Sequence, residues 1–221
     1  RENRMPANFW RLNSSVNASG RIFLSLVSTM VSASRMCCQV CCIRCFPAVL
    51  SSRRKPRECS VKNILFICHG NICRSPMAEL VMKDLVGKAG LSGRFHIGSA
   101  AVSREEIGSP VYPPARRELA KHGISCGGHS ARQLTPQDYG EYDLLIGMDS
   151  GNLRAMHRIC GGDPEGKMSL LMDHTARPGS VADPWYTDDF EATWRDVLEG
   201  CRGLLAELSG GALPSSPFPL P

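Results

Sequence analysis

A run of four apolar residues, Ile64-Leu-Phe-Ile67, passes directly into Cys68-His-Gly-Asn-Ile-Cys-Arg74 and then into Ser75-Pro76. No other stretch restricts the fold as strongly. An unbroken apolar run with β-branched and aromatic members is the pattern of a strand covered on both faces, as in a parallel sheet. Ser followed by Pro is a helix start, with Ser75 as the expected cap and Pro76 at the first helical position. The apolar spacing of Met77, Leu80, Val81 and Leu85 carries that helix to about Gly87. The loop between the two elements then lies at the carboxyl end of its strand, where open α/β sheets bind ligands.

The same alternation continues downstream. Helical spacing recurs over residues 114–122, ended by Gly123, and over 152–159, ended by Gly161-Gly162, glycine being the usual helix stop. Strands are predicted over 142–148 and 168–171, and a long last helix over about 188–208. Together these predict an α/β fold, an open and mainly parallel sheet with helices on both faces. The predicted domain is residues 61–208. Residues 209–221, with four prolines and two glycines, are expected to be a disordered tail.

Residues 1–60 have a different composition. They hold ten Lys/Arg against two Asp/Glu, whereas residues 61–221 hold sixteen against nineteen, so the chain's charge of +5 is a property of its first part. The basic balance therefore argues for no nucleic-acid partner of the main domain. Two functional readings of this segment were weighed, a secretory signal around residues 21–34 and a zinc site in the cluster Cys37 to Cys45. The preferred reading is a segment without selected structure, begun too far upstream, with the protein proper opening near Val61. The sparse cysteines beyond residue 60 (Cys68, Cys73, Cys126, Cys160, Cys201) predict reduced thiols and a cytoplasmic protein. No run approaches the roughly 20 apolar residues of a membrane span.

Each position of the loop suits a phosphate dianion. Backbone N–H groups of His69, Gly70, Asn71, Ile72 and Cys73 can converge on three oxygens, and the helix start adds free N–H groups and a positive dipole end. Gly70 lets the backbone turn, and Asn71 tolerates the left-handed region and can brace the loop through its side chain. Arg74 offers a planar fork for two oxygens of a transferring phosphoryl group. The same field favours a thiolate at Cys68, which makes Cys68 the nucleophile. Ser75 can donate its hydroxyl to that sulfur.

The string CHGNICRSP between an apolar strand and a helix is highly specific, and over about residues 62–208 the sequence resembles the low-molecular-weight protein-tyrosine phosphatases. The resemblance implies a four-stranded twisted sheet of flavodoxin-like layout and a phosphocysteine intermediate on Cys68. In Asp183-Pro-Trp-Tyr186 it implies that Asp183 protonates the leaving phenolate and later activates water, with Trp185 and Tyr186 walling the mouth. Ser99 and His129 would prop Asn71, and Cys73 would trap oxidised Cys68 as a disulfide. No metal or cofactor is implied. The expected partners are tyrosine-phosphorylated proteins, handled by a monomer or weak homodimer, without nucleic acid or membrane.

Alternatives share the loop. Arsenate reductases of this fold need two relay cysteines close together, and Cys126 and Cys160 are thirty-four residues apart. Protein-arginine phosphatases carry threonine at the position of Ile72, so Ile72 favours phosphotyrosine. The segment 102–110, VSREEIGSP, departs from the aromatic wall of animal relatives and bears on substrate preference. A non-catalytic phosphate-binding or redox-sensing protein would keep the loop and could lose Asp183.

Overall fold

A computed structural model of the chain describes residues 61–210; the expectations for residues 1–60 and 211–221 lie outside the described residues. In chain order the elements are β1 (Lys62–Cys68), α1 (Arg74–Lys88), β2 (Phe95–Ala101), α2 (Pro113–Lys121), α3 (Pro136–Glu141), β3 (Leu144–Gly147), α4 (Ser150–Cys160), β4 (Met168–Leu170), α5 (Pro184–Thr187) and α6 (Phe190–Leu208). The four strands form one parallel sheet in the order β2-β1-β3-β4. The α/β class and the open parallel sheet are as the sequence predicts.

β1 lies inside the sheet, and its period of two divides its side chains between two apolar layers. Ile64 and Phe66 enter the larger core with α1, α2 and α6, through Met77, Leu119, Trp194 and Val197. Leu65 and Ile67 enter the smaller one on the other face with Leu134, Leu145 and Met156. All four β1 residues are completely buried, each contributing roughly 2 kcal/mol of apolar transfer. The chain leaves β1 for β2 on one side and reaches β3 on the other. This switch point opens a crevice at the carboxyl ends of β1, β2 and β3, where Cys68, Val102 and Asp149 all stand.

Several local expectations need correction. α1 begins at Arg74, its cap position is Cys73 with no side-chain cap, and Ser75 lies inside the first turn; the hydroxyl expected to cap the helix is committed elsewhere, as described below. β2 was not predicted, because its sequence FHIGSAA includes a glycine and three small residues that weaken the strand pattern. The glycine has a packing reason, since a Cβ on Gly98 would lie 2.9 Å from the Tyr142 hydroxyl. α3 occupies residues on either side of Tyr139 that carried no helical period, and holds through a capping box between Thr135 and Asp138. The last helix starts at Phe190 rather than near 188: Asp188 adopts φ 54° and Asp189 caps α6 by accepting from Ala192 N.

Candidate active site

Cys68 ends β1, and its carbonyl and those of His69, Asn71, Ile72 and Cys73 are each engaged by a hydrogen bond. Val102 N donates to Cys68 O (2.9 Å), Ser103 N to His69 O (3.0 Å), Tyr112 N to Ile72 O (2.8 Å) and Met77 N to Cys73 O (3.1 Å). His129 Nε2 meets Asn71 O at 2.8 Å. With these carbonyls engaged, the amide edge of the loop is what remains for an anion. Asn71 sits at φ 59°, the left-handed conformation that asparagine tolerates better than most residues. Gly70 has no positive φ; a Cβ there would lie 3.2 Å from Glu106 Cγ, a close approach in keeping with the freedom from a Cβ clash expected of it.

The Asn71 side chain is buried and fully used. Its Nδ2 donates to Ser75 Oγ (2.9 Å) and Ser99 Oγ (2.8 Å), and its Oδ1 accepts from Arg132 N (3.1 Å). Ser99 in turn donates to Glu79 Oε2 at 2.5 Å. Ser75 Oγ lies 3.0 Å from Cys68 Sγ, and Asn71 N donates to the same sulfur at 3.3 Å. Ser75 Oγ accepts from Asn71, can donate to Ala100 O at 3.4 Å, and can exchange a hydrogen bond with Cys68 Sγ in which either atom is the donor. Ser99 and His129 thus both support the loop, but differently: Ser99 holds the Asn71 side chain and His129 holds its backbone carbonyl.

Arg74 is 4% exposed and spans two carboxylates. Its Nη1 donates to Asp149 Oδ2 at 2.7 Å, and its Nη2 pairs with Asp183 Oδ2 at 2.7 Å. Asp149 was not anticipated; its only signal is its place as cap of α4, where Oδ1 accepts from Asn152 N at 2.7 Å. Burial works against the charged Asp149, yet the hydrogen bonds from Asn152 N and Arg74 outweigh it and hold the carboxyl below its usual value. Glu79 and Arg132 were likewise invisible, since they act through Ser99 and Asn71 and not on the cavity.

Asp183 caps α5, its Oδ1 accepting from Trp185 N at 3.1 Å. The segment before it is pinned by Val181 N to Met148 O (2.9 Å), Ala182 N to Asp196 Oδ2 (2.9 Å) and Thr193 Oγ1 to Ala182 O (3.0 Å). The loop is therefore anchored both to the end of β3 and to α6. Trp185 and Tyr186 are 62% and 85% exposed and line the mouth, so neither is a core residue. Tyr112 packs on Trp185 and Phe190 with ring centroids 5.9 and 6.1 Å apart, which ties the aromatic wall to the connection that also holds Ile72.

One open cavity of about 570 Å³ collects Cys68, Arg74, Asp149, Asp183, Trp185 and Tyr186, with His69, Gly70, Ile72 and Cys73 on the loop side. Burial, then the neighbouring Cys68, push the Cys73 thiol up to about 12. Cys126 and Cys160 are free thiols and do not line this cavity. Among the described residues no three His, Cys, Asp or Glu side chains gather to hold a metal ion, and no helix is long and apolar enough to cross a membrane.

A loop carrying Cys68 and Arg74 at the switch point of a parallel sheet, faced by a carboxylate from a separate loop, defines a phosphatase of the α/β class. A family model described as low molecular weight phosphotyrosine protein phosphatase matches residues 63–211, and the chain belongs to that family, an enzyme family of hydrolases. It is 36% identical over 148 residues to low molecular weight protein-tyrosine-phosphatase YfkJ of Bacillus subtilis, covering 66% of this chain and 95% of that protein. It is equally 36% identical over 153 residues to low molecular weight phosphotyrosine protein phosphatase of Rattus norvegicus, covering 67% and 96%. The crystal structure of YfkJ matches with a TM-score of 0.67 at 35% identity, over 72% of this chain and all of that one. The structure of DARP, a Drosophila arginine phosphatase, matches with 0.60 at 27% identity, over 66% and 96%.

Proposed function

We propose that residues 61–208 hydrolyse phosphotyrosine in proteins, and small aryl phosphates, without metal and through a phosphocysteine intermediate. The observation that carries this is the convergence of Cys68, Arg74 and Asp183 on one cavity, with Asn71 N donating to the Cys68 sulfur and Ser75 Oγ in hydrogen-bond contact with it. The phosphate dianion takes the loop amides and the Arg74 fork, the positive field that stabilises a transferring phosphoryl group. Once a phosphate oxygen occupies Arg74 Nη2, Asp183 is released from its ion pair, takes up a proton from solvent beside the bound phosphate, and turns Oδ2 toward the leaving oxygen. Cys68 Sγ attacks phosphorus as the P–O bond breaks, and the phenolate oxygen takes the proton of Asp183. Asp183, now a carboxylate, accepts a proton from water as that water attacks phosphorus, the S–P bond breaks, and Ser75 steadies the departing thiolate.

Ile72 lines the cavity with an aliphatic chain that offers a guanidinium no hydrogen bond, while Trp185 and Tyr186 offer faces to an aromatic ring; both favour phosphotyrosine over phosphoarginine. The five free thiols of the described residues fit a reducing compartment such as the cytoplasm. Peroxide would convert Cys68 to a sulfenic acid, which the Cys73 thiol condenses with to give a disulfide and water.

The test is steady-state turnover of an aryl phosphate, a phosphotyrosyl peptide, a phosphoarginine compound and a phosphoseryl peptide, in chelator and reductant. Turnover confined to the two aryl esters is expected; preference for phosphoarginine, or none for any ester, would refute the reading. With radiolabelled phosphotyrosyl substrate and rapid quenching, label should remain on the wild-type protein and be absent from Cys68→Ser, which should also have lost turnover. Asp183→Asn should lose about 10²–10³-fold on poor leaving groups and much less on an activated aryl phosphate.

A further inference from the structure

Asp183 ends a stretch with no strand or helix of its own: residues 175–183 run as irregular chain from the 3-10 turn Leu171–His174 to α5. The course of such a segment is set by what holds its backbone groups. Ala182, the residue immediately before Asp183, has both of its backbone polar groups taken by side chains of α6. Asp196 Oδ2 accepts from Ala182 N at 2.9 Å, and Thr193 Oγ1 donates to Ala182 O at 3.0 Å. Residues three apart in a helix share a face, so the two side chains meet the same peptide. Each is itself held. Thr193 is completely buried, and its hydroxyl proton has Asp189 O as a longer alternative at 3.2 Å. Asp196 Oδ1 accepts from Arg177 Nη2 at 3.0 Å, which leaves Oδ2 for Ala182.

A peptide unit is planar, so holding Ala182 O also places Asp183 N and the Asp183 Cα, and Pro184 locks the φ that follows. Resting on the phosphotyrosine reading above, we infer that Thr193 and Asp196 are positioning residues for the general acid, aiming Asp183 at the leaving oxygen from a helix that lends no side chain to the cavity. The phosphate loop has separate supports in Asn71, Ser99 and His129, so a fault in the α6 clamp leaves the nucleophile and the anion site in place. A contact that only stabilised the fold would weaken catalysis of every substrate alike. One that aims the acid matters in proportion to the proton that the leaving group needs, and only while Asp183 has a proton to give.

The experiment measures kcat/KM of the full chain, wild type and Thr193→Val, on phenyl phosphate, a poor leaving group, and on 4-nitrophenyl phosphate, an activated one, and repeats both in the Asp183→Asn background. Thr193→Val should lose about tenfold on phenyl phosphate and about twofold or less on the nitrophenyl ester. In the Asp183→Asn background it should add about twofold or less to the loss already present. Thr193→Ser, which keeps the hydroxyl, should recover most of the phenyl phosphate activity. Asp196→Ala should repeat the pattern of Thr193→Val and carries the test if the valine variant does not fold. Inhibition by inorganic phosphate should stay within about twofold of wild type. Equal losses on the two esters, a loss that multiplies with that of Asp183→Asn, or a matching loss of phosphate affinity overturns the positioning role, while wild-type turnover keeps the phosphatase reading. A wild type that turns over neither ester overturns both.

Discussion

Arg74 brings one positive charge to two carboxylates, and the two contacts differ in what they do. In the proposed reaction Asp183 acts on the leaving group, so its 2.7 Å contact would be exchanged when phosphate arrives. Asp149 is fixed as the cap of α4 and remains, keeping the guanidinium plane oriented. Asp149→Asn should therefore leave the protein folded and lower kcat/KM about tenfold, mainly through weaker phosphate binding, as steady-state kinetics and an inorganic phosphate inhibition constant would reveal. Asn71 is a different case, because it supports Ser75, Ser99 and a left-handed backbone at once. Asn71→Ala should cost about 10²-fold in kcat with a smaller change in KM, since the loop amides and the Ser75 hydroxyl lose their aim together. The buried Cys73, held as a thiol by its raised pKa of about 12, reacts slowly at neutral pH. Reversal of peroxide inactivation by reductant should be partial in the wild type and lost in Cys73→Ser.

Elements bring these residues within reach, and the tightest seam between elements is far from the chemistry. α6 crosses the 3-10 turn Leu171–His174 at two glycines, Gly200 and Gly203. A Cβ on Gly203 would lie 1.8 Å from His174 O, a backbone atom, and one on Gly200 would lie 2.4 Å from Leu171 Cγ. Neither glycine adopts a positive φ, so close approach alone selects them. Gly203→Ala should destabilise by about 3 kcal/mol, read as a fall in the midpoint of thermal or urea unfolding. The effect should spread to the site, because α6 also holds the acid loop through Thr193 and Asp196. Helical spacing announced α6, but nothing along its own sequence distinguishes glycines that permit a neighbouring turn from glycines that merely weaken a helix.

Among the described residues, three carboxylates are held below their ordinary value of 3.8: Asp138, Asp149 and Asp163, each against its own burial, by hydrogen bonds from Arg132, Asn152 and Met168 respectively. The unfolded chain binds their protons more readily, so the stability they contribute is present above about pH 4 and lost as pH falls through the depressed folded values. At the alkaline end, burial raises the thiols of Cys73 and Cys201 above their ordinary 9.0; that contribution is present below pH 9 and lost above it. Unfolding midpoints against pH should therefore form a plateau between these limits, and Asp138→Asn should flatten the acid edge. The sequence by itself determined the class of fold and the chemical loop, because a buried strand, a cysteine, an arginine six residues further and a helix start are contiguous, and local geometry follows from neighbours in the chain. The family resemblance, and not the residues alone, pointed to Asp183. Tertiary structure alone decided that Asp149 would share Arg74 and that Glu79 and Arg132 would brace Asn71. Each of these contacts joins residues that the parallel register brings together from separate strands and loops, and a polar residue carries no mark in the sequence of the partner that will satisfy it.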